Sequence, residues 1–200
     1  MEYQERRRLQ AKETEQRILQ SALTLMREQG FEKVSVRDIC AHAGITTGAF
    51  YHHFPSKEAL IAKGFGALDH YMAQALKDHV HEPPSQRLRT ILTAYADFME
   101  RESGELTARY YLLRLSNVNA GVRLDPTHYI KRAMVECFEE AKANGSFLGD
   151  RSSEWTADFC YRHFRGVVID WLLSGYSYSL RERMLDDYDA FLQFFDHVQK

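Results

Sequence analysis

The sequence predicts an all-α chain, on three observations. Apolar residues recur three and four positions apart along most of its length. No run alternates apolar with polar residues as a half-buried strand does. Only four prolines and eleven glycines interrupt 200 residues. That length suits one compact unit or two small ones, with ample chain for a buried core.

The helices follow in order. Residues up to Ala11, with Arg6, Arg7 and Arg8, are too polar to pack and are expected to form a loose N-terminal arm. Lys12 to Gln29 is the first helix: Ile18, Leu19, Ala22, Leu23, Leu25 and Met26 form its apolar stripe and Gly30 ends it. Phe31 and Val34 extend the same small core. Ser35 is a natural N-cap for a short helix whose Val36, Ile39, Cys40 and Ala43 share one face. Gly44 supplies the turn, because glycine alone takes a left-handed helix end without steric cost. Thr46 caps another short helix with Ala49, Phe50 and Phe54 inward, and Pro55 stops it. Two short helices joined in this way form a helix-turn-helix, a unit that lays its second helix in the major groove of DNA.

A long fourth helix is expected from Ser56 to His81, carrying Leu60, Ile61, Phe65, Leu68, Met72 and Leu76 along one side. Glu82-Pro83-Pro84 forms a boundary that no helix continues through. Further helices are expected over Ser85–Glu102, Leu106–Asn119, Pro126–Ala143, Ser153–Ser174 and Leu180–Val198, giving about nine in all. The last two spread apolar residues too widely for one stripe and must bury two faces. Gly166 lies inside the first of them and is read as permitting a close helix crossing.

The run F-E-K-V-S-V-R-D-I followed by G-I-T-T-G-A-F-Y-H-H-F-P-S-K-E-A-L closely resembles the DNA-binding domain of the tetracycline-repressor-like (TetR) family. The resemblance covers about the first third of the chain. Cys40 departs from it, standing where the family usually has alanine; it is small and apolar enough to keep the turn. The resemblance implies three regions: residues 1–58 as a three-helix DNA-binding domain with its basic arm, 59–82 as a connecting helix, and 83–200 as a helical ligand-binding and dimerisation domain. It further implies a cytoplasmic homodimer that reads a palindromic operator and responds to a small-molecule effector. Repression is the commoner outcome for such a protein; an activator, or a redox-responsive regulator of the same fold, is the alternative.

The residues expected at DNA are these. Thr46, Thr47 and Gly48 open the reading helix; the hydroxyls suit phosphates or base edges, and Gly48 lets the backbone come close. Tyr51 and His52 occupy its outer face, and Tyr51 resembles a family tyrosine that donates to a phosphate. Lys57 matches a family lysine on the DNA backbone, and Thr14 resembles positions that approach it. Ser35 and Arg37 open the preceding helix, and Arg37 reaches toward phosphate or a base edge. Arg6, Arg7 and Arg8 enter the minor groove or sit on phosphates if the arm behaves like other helix-turn-helix arms; a solvated tail is the competing reading.

For the effector, the resemblance points to the middle helices. Tyr95, Phe98, Met99, Tyr110, Arg114, Asn117, Phe138, Tyr161, Phe164 and Trp171 supply an aromatic and polar mix suited to a pocket. Aromatic stripes at helical spacing also make plain core, so both readings stand. The dimer interface is expected on the last two helices, at Phe159, Gly166, Val167, Tyr188, Phe191 and Phe195. A thick monomer core is the competing reading.

Composition narrows the remaining classes. Residues 1–66 hold ten Lys/Arg against eight Asp/Glu, and residues 67–200 sixteen against twenty. A protein that coats DNA without regard to sequence would be far more basic. Neither a bilayer-length apolar run nor a signal peptide is present in the sequence. There is no Gly-rich phosphate loop, no G-x-S-x-G, no HExxH and no zinc-type cysteine spacing, so a helical enzyme is disfavoured and no catalytic residue, metal or cofactor is expected. His79 and His81 are two apart, which on a helix turns them away from each other. Cys137 and Cys160 are read as buried reduced thiols, with a redox pair as the sharper alternative.

Overall fold

The computed structural model describes residues 2–101, 104–116, 129–147 and 149–197, with side chains described between 3 and 192. Asn117 and the side chain of Phe195 lie outside the described residues. Among those described there are ten helices and no strand: α1 (Glu2–Gln29), α2 (Val36–Ala43), α3 (Thr47–His53), α4 (Lys57–Phe65), α5 (Leu68–Leu76), α6 (Pro84–Arg101), α7 (Gly104–Ser116), α8 (Tyr129–Ala143), α9 (Ser153–Leu173) and α10 (Leu180–His197).

The chain divides into two compact units, Met1–Ala67 with Glu105–Asn119, and Leu68–Gly104 with Ala120–Lys200. In the first unit α1 packs against α2 and α4, and α2 against α3. Ile18, Ala22 and Met26 of α1 meet Ile39, Phe50, Leu60 and Ile61 in a core that excludes water. Gly64 brings α4 close to α1, because a Cβ there would stand 3.1 Å from Leu23 Cδ1. Lys63 and Glu15 pair across the same two helices at 2.7 Å.

Two expectations for this unit are corrected. The arm is not loose, because α1 begins at Glu2. Residues 2–29 contain no proline and no glycine and are rich in Glu, Gln, Arg and Leu, so the helix has nothing to stop it. The long fourth helix is two helices: α4 ends at Phe65, Ala67 N–H turns back to Gly64 O, and α5 begins at Leu68. Two glycines within three residues, Gly64 and Gly66, weaken the helix there.

The second unit is built around α6, which packs against α5, α8, α9 and α10. Leu88, Ile91, Leu92, Tyr95, Ala96, Phe98 and Met99 are all buried on it, a wide apolar arc that leaves Arg89, Thr93, Asp97 and Glu100 as a polar strip along the other side. Tyr188 of α10 closes this core, its hydroxyl donating to Ser85 O at 3.0 Å. At the end of α9, Gly175 and Tyr176 take φ of 68° and 63°, and Tyr176 N–H reaches back to Trp171 O. Its ring lies against Gly104, where any Cβ would collide with it.

Candidate nucleic-acid interface

The interface is built from the local chemistry of two very short helices. Ser35 and Asp38 cap α2 reciprocally: Asp38 N–H donates to Ser35 Oγ at 3.2 Å and Ser35 N–H to Asp38 Oδ2 at 2.8 Å. These bonds from Ser35 hold the Asp38 carboxyl below its usual range. The far end closes on Gly44 at φ 64°, with Gly44 N–H to Ala41 O and Ile45 N–H to Cys40 O, the double bond pattern of a Schellman ending. One residue later Thr46 caps α3, its Oγ1 accepting from Ala49 N–H at 3.2 Å. The turn between the helices is therefore fixed at both ends by named groups.

Burial then sorts the faces of α3. Phe50 is wholly buried and Phe54 nearly so, which anchors the helix on the core. Thr47, Gly48, Tyr51 and His52 are exposed and pair at i, i+4 spacing into one outward strip. Tyr51 is 57% exposed, and its ring is held edge-on to Phe50 at 5.3 Å, so its hydroxyl projects from a fixed base. Thr46, Ser35 and Arg37 are exposed beside it. Thr14 is half-buried, its hydroxyl donating to Gln10 O one turn back. Arg6, Arg7 and Arg8 are exposed on α1. On a helix they point about 100° apart, so they cannot enter one groove together as an extended arm would.

Lys57 is committed elsewhere. Its ammonium donates to Phe31 O at 2.7 Å and Val34 O at 2.9 Å, and stands 4.0 Å from the Phe31 ring centre. It clamps the loop between α1 and α2. Two α7 residues join the clamp, and local sequence patterns did not reveal them. Glu105 accepts from Phe31 N–H at 3.2 Å. Arg109 lies over the Phe31 ring at 5.1 Å and pairs with Glu32. Phe31 thus has a cation on either account, one from α4 and one from α7. More than seventy residues separate Glu105 from Phe31, so no spacing rule connects them.

The expected effector residues divide between the two units. Tyr110 and Arg114 belong to the first: Tyr110 stacks on Phe65 at 4.2 Å, and Arg114 lies over Tyr110. Tyr95, Phe98, Met99, Phe138, Tyr161, Phe164 and Trp171 are buried in the second. There they pack among aromatic neighbours, Tyr95 on Tyr161 at 6.2 Å and Phe98 on Tyr71 at 5.4 Å. Trp171 Nε1 donates to Tyr178 O at 3.0 Å. Burial pushes the Cys137 thiol up to about 11 and Cys160 up to about 12, which keeps both protonated near neutrality and disfavours oxidation.

Two expected dimer residues face inward, and the crossing expected at Gly166 is not made within the chain. Val167 and Tyr188 are buried within their own chain and offer little surface to a partner. Gly166 makes no close crossing in this chain: it is exposed, and nothing lies within 4 Å of a Cβ built on it. Phe159, 39% exposed, stays on the surface between Trp155 and Phe191 in an aromatic row. No described helix is long and apolar enough to cross a membrane.

Comparison with known proteins agrees with this geometry. Residues 18–63 match the family described as bacterial regulatory proteins, tetR family. The HTH-type transcriptional repressor DhaR of Mycobacterium sp. (strain GP1) is 26% identical over 161 residues, covering 77% of this chain and 80% of that protein. The repressor KstR2 of Mycolicibacterium smegmatis is 27% identical over 79% of this chain and 78% of its own length. Among solved structures, Thermus thermophilus FadR, a TetR-family repressor in complex with lauroyl-CoA, superposes with a TM-score of 0.63 at 21% identity, over 90% of this chain and 93% of that one.

Proposed function

We infer that this chain, a member of the tetR family of bacterial regulatory proteins, is a dimeric repressor that binds a palindromic operator and is released by a small-molecule effector. One observation carries the DNA-binding part: a rigidly capped turn between α2 and α3 that leaves Thr47, Gly48, Tyr51 and His52 as one outward strip. A helix of that kind fits the major groove, and two of them on a two-fold axis read half-sites one helical turn apart. Few long side chains on the strip reach for bases, so DNA shape shares in the specificity. Ser35, Arg37, Thr46 and the exposed basic residues of α1 supply phosphate contacts, which fix register without reading sequence. Repression is favoured because DhaR and KstR2 are repressors.

The effector belongs in the second unit, among Tyr95, Phe98, Met99, Phe138, Tyr161, Phe164 and Trp171. These side chains fill the core in the described structure, so a ligand enters by parting aromatic pairs already in contact. That coupling of ligand to packing is what makes such a site a switch. Regulation in the cytoplasm, with no chemistry performed on the effector, completes the reading. The test is binding to the DNA upstream of the protein's own coding region, compared with random duplex across salt. A regulator prefers the first by about a thousandfold or more; equal affinity overturns the reading.

A further inference from the structure

The exposed face of α9 is symmetric about Gly166. Counting along the helix, Phe159 and Leu173 lie seven residues to either side, and Arg162 and Asp170 four residues to either side. At about 100° per residue, all five stay within about 40° of one line. All five are exposed, Leu173 by 83% and Phe159 by 39%, while nothing stands within 4 Å of a Cβ placed on Gly166. A soluble chain rarely leaves stacked aromatics and a leucine along one helix face without a partner.

We propose that α9 packs antiparallel on α9 of a second copy, with the two-fold axis passing beside Gly166. This rests on the dimer reading above and adds its register. Rotation about that axis sets Phe159 against the partner's Leu173 and Arg162 against the partner's Asp170. Each apolar residue then meets an apolar one, and each charge meets its opposite, twice per dimer. A parallel or shifted arrangement loses this match. Gly166, lacking a side chain, lets the two helix backbones approach where they cross. Trp155, 44% exposed and stacked on Phe159 at 5.4 Å, falls opposite the turn that follows α9, where Tyr176 is 46% exposed.

The charged neighbours leave this pairing open. Arg162 Nε meets Asp158 Oδ2 at 3.4 Å, which leaves its two terminal nitrogens for the carboxylate across the axis. One oxygen of Asp170 accepts from the Tyr178 hydroxyl at 2.8 Å, which orients the other. On the flank, His163 and Asp187 pair at 3.0 Å, and Arg183 lies beside them in the groove between α9 and α10.

Sedimentation equilibrium and cysteine cross-linking on the full chain test the register separately from the dimer. Arg162→Asp and Asp170→Arg should each raise the dimer dissociation constant about tenfold or more, and the double reversal should return it to within about threefold of the parent. Gly166→Cys, which meets open space, should form an intermolecular disulfide on mild oxidation. Arg162→Cys should not, because its two copies would stand about 12 Å apart, beyond disulfide reach. The native cysteines are buried and do not compete. A dimer that persists with neither rescue nor cross-link overturns the register while sparing the dimer. A parent chain that stays monomeric at micromolar concentration overturns both.

Discussion

The two units solve the same folding problem with different means. In the first, α2, α3 and α4 are eight, seven and nine residues long, too short to stand on helix propensity. Each begins on a hydroxyl cap, Ser35, Thr46 or Ser56, and the α1–α2 loop is held by charged groups from α4 and α7. The second relies on long helices and buried rings, with Phe98, Phe164, Ile91, Leu92 and Met99 all under 2% exposed. Short capped helices fix a geometry that projects outward, as reading DNA requires. A core of long helices and packed rings gives way only by repacking.

The largest test of that contrast strikes the anchor on which the capped helices rest. Phe50→Ala should destabilise the first unit by about 3–5 kcal/mol and abolish DNA binding, measured by urea unfolding and fluorescence anisotropy. If α3 depended on its caps alone, binding would survive.

Lys57→Met removes two charge-assisted bonds from a half-buried site and should cost about 1.5–3 kcal/mol. Its readout at DNA separates clamp from contact. A lysine lost from a phosphate lowers the salt slope by about one. The clamp geometry predicts weaker binding with the slope unchanged, and faster amide exchange in the loop from Phe31 to Val34.

Gly44→Ala forces a side chain into a left-handed position and should cost about 1–2 kcal/mol, read as a lowered midpoint in urea. Tyr51→Phe should leave stability untouched, since the ring is exposed, and should weaken DNA binding by about 1 kcal/mol through one lost hydrogen bond. The smallest effect belongs to Asp38→Asn. The folded carboxyl titrates below its usual range, so its contribution is present at neutral pH and disappears as acid protonates it. Parent and variant should therefore differ in stability at pH 7, with the difference starting to shrink near about pH 4 and vanishing only once the pH has fallen past the depressed folded value. A difference that grew in acid would contradict the capping assignment.

Much of the first unit was legible because its determinants are local. Ser35, Gly44, Thr46 and Pro55 each act within a few residues, and a linear reading reaches that far. The helical start of α1 and the break after Phe65 differ from the expected elements for local reasons too: helix propensity outweighs polarity in residues 2–11, and Gly64 and Gly66 interrupt the apolar stripe. What escaped entirely is non-local. Glu105 and Arg109 secure a loop more than seventy residues away, and Lys57 matches a DNA-contacting pattern while serving that loop. In the second unit the periodicity gave the helices, yet the same stripe of rings describes a pocket and a core equally well. Tyr188 and Val167 turned out to face inward, which spacing alone does not decide when a helix buries two sides.

The central claim is a paired reading head, and counting chains on DNA tests it most directly. Duplexes enriched by the protein from random sequence, titrated in an analytical ultracentrifuge, should bind two chains each. They should exceed unselected duplex in affinity by about a thousandfold at physiological salt. One chain per duplex, or enrichment that yields no common sequence, would contradict it.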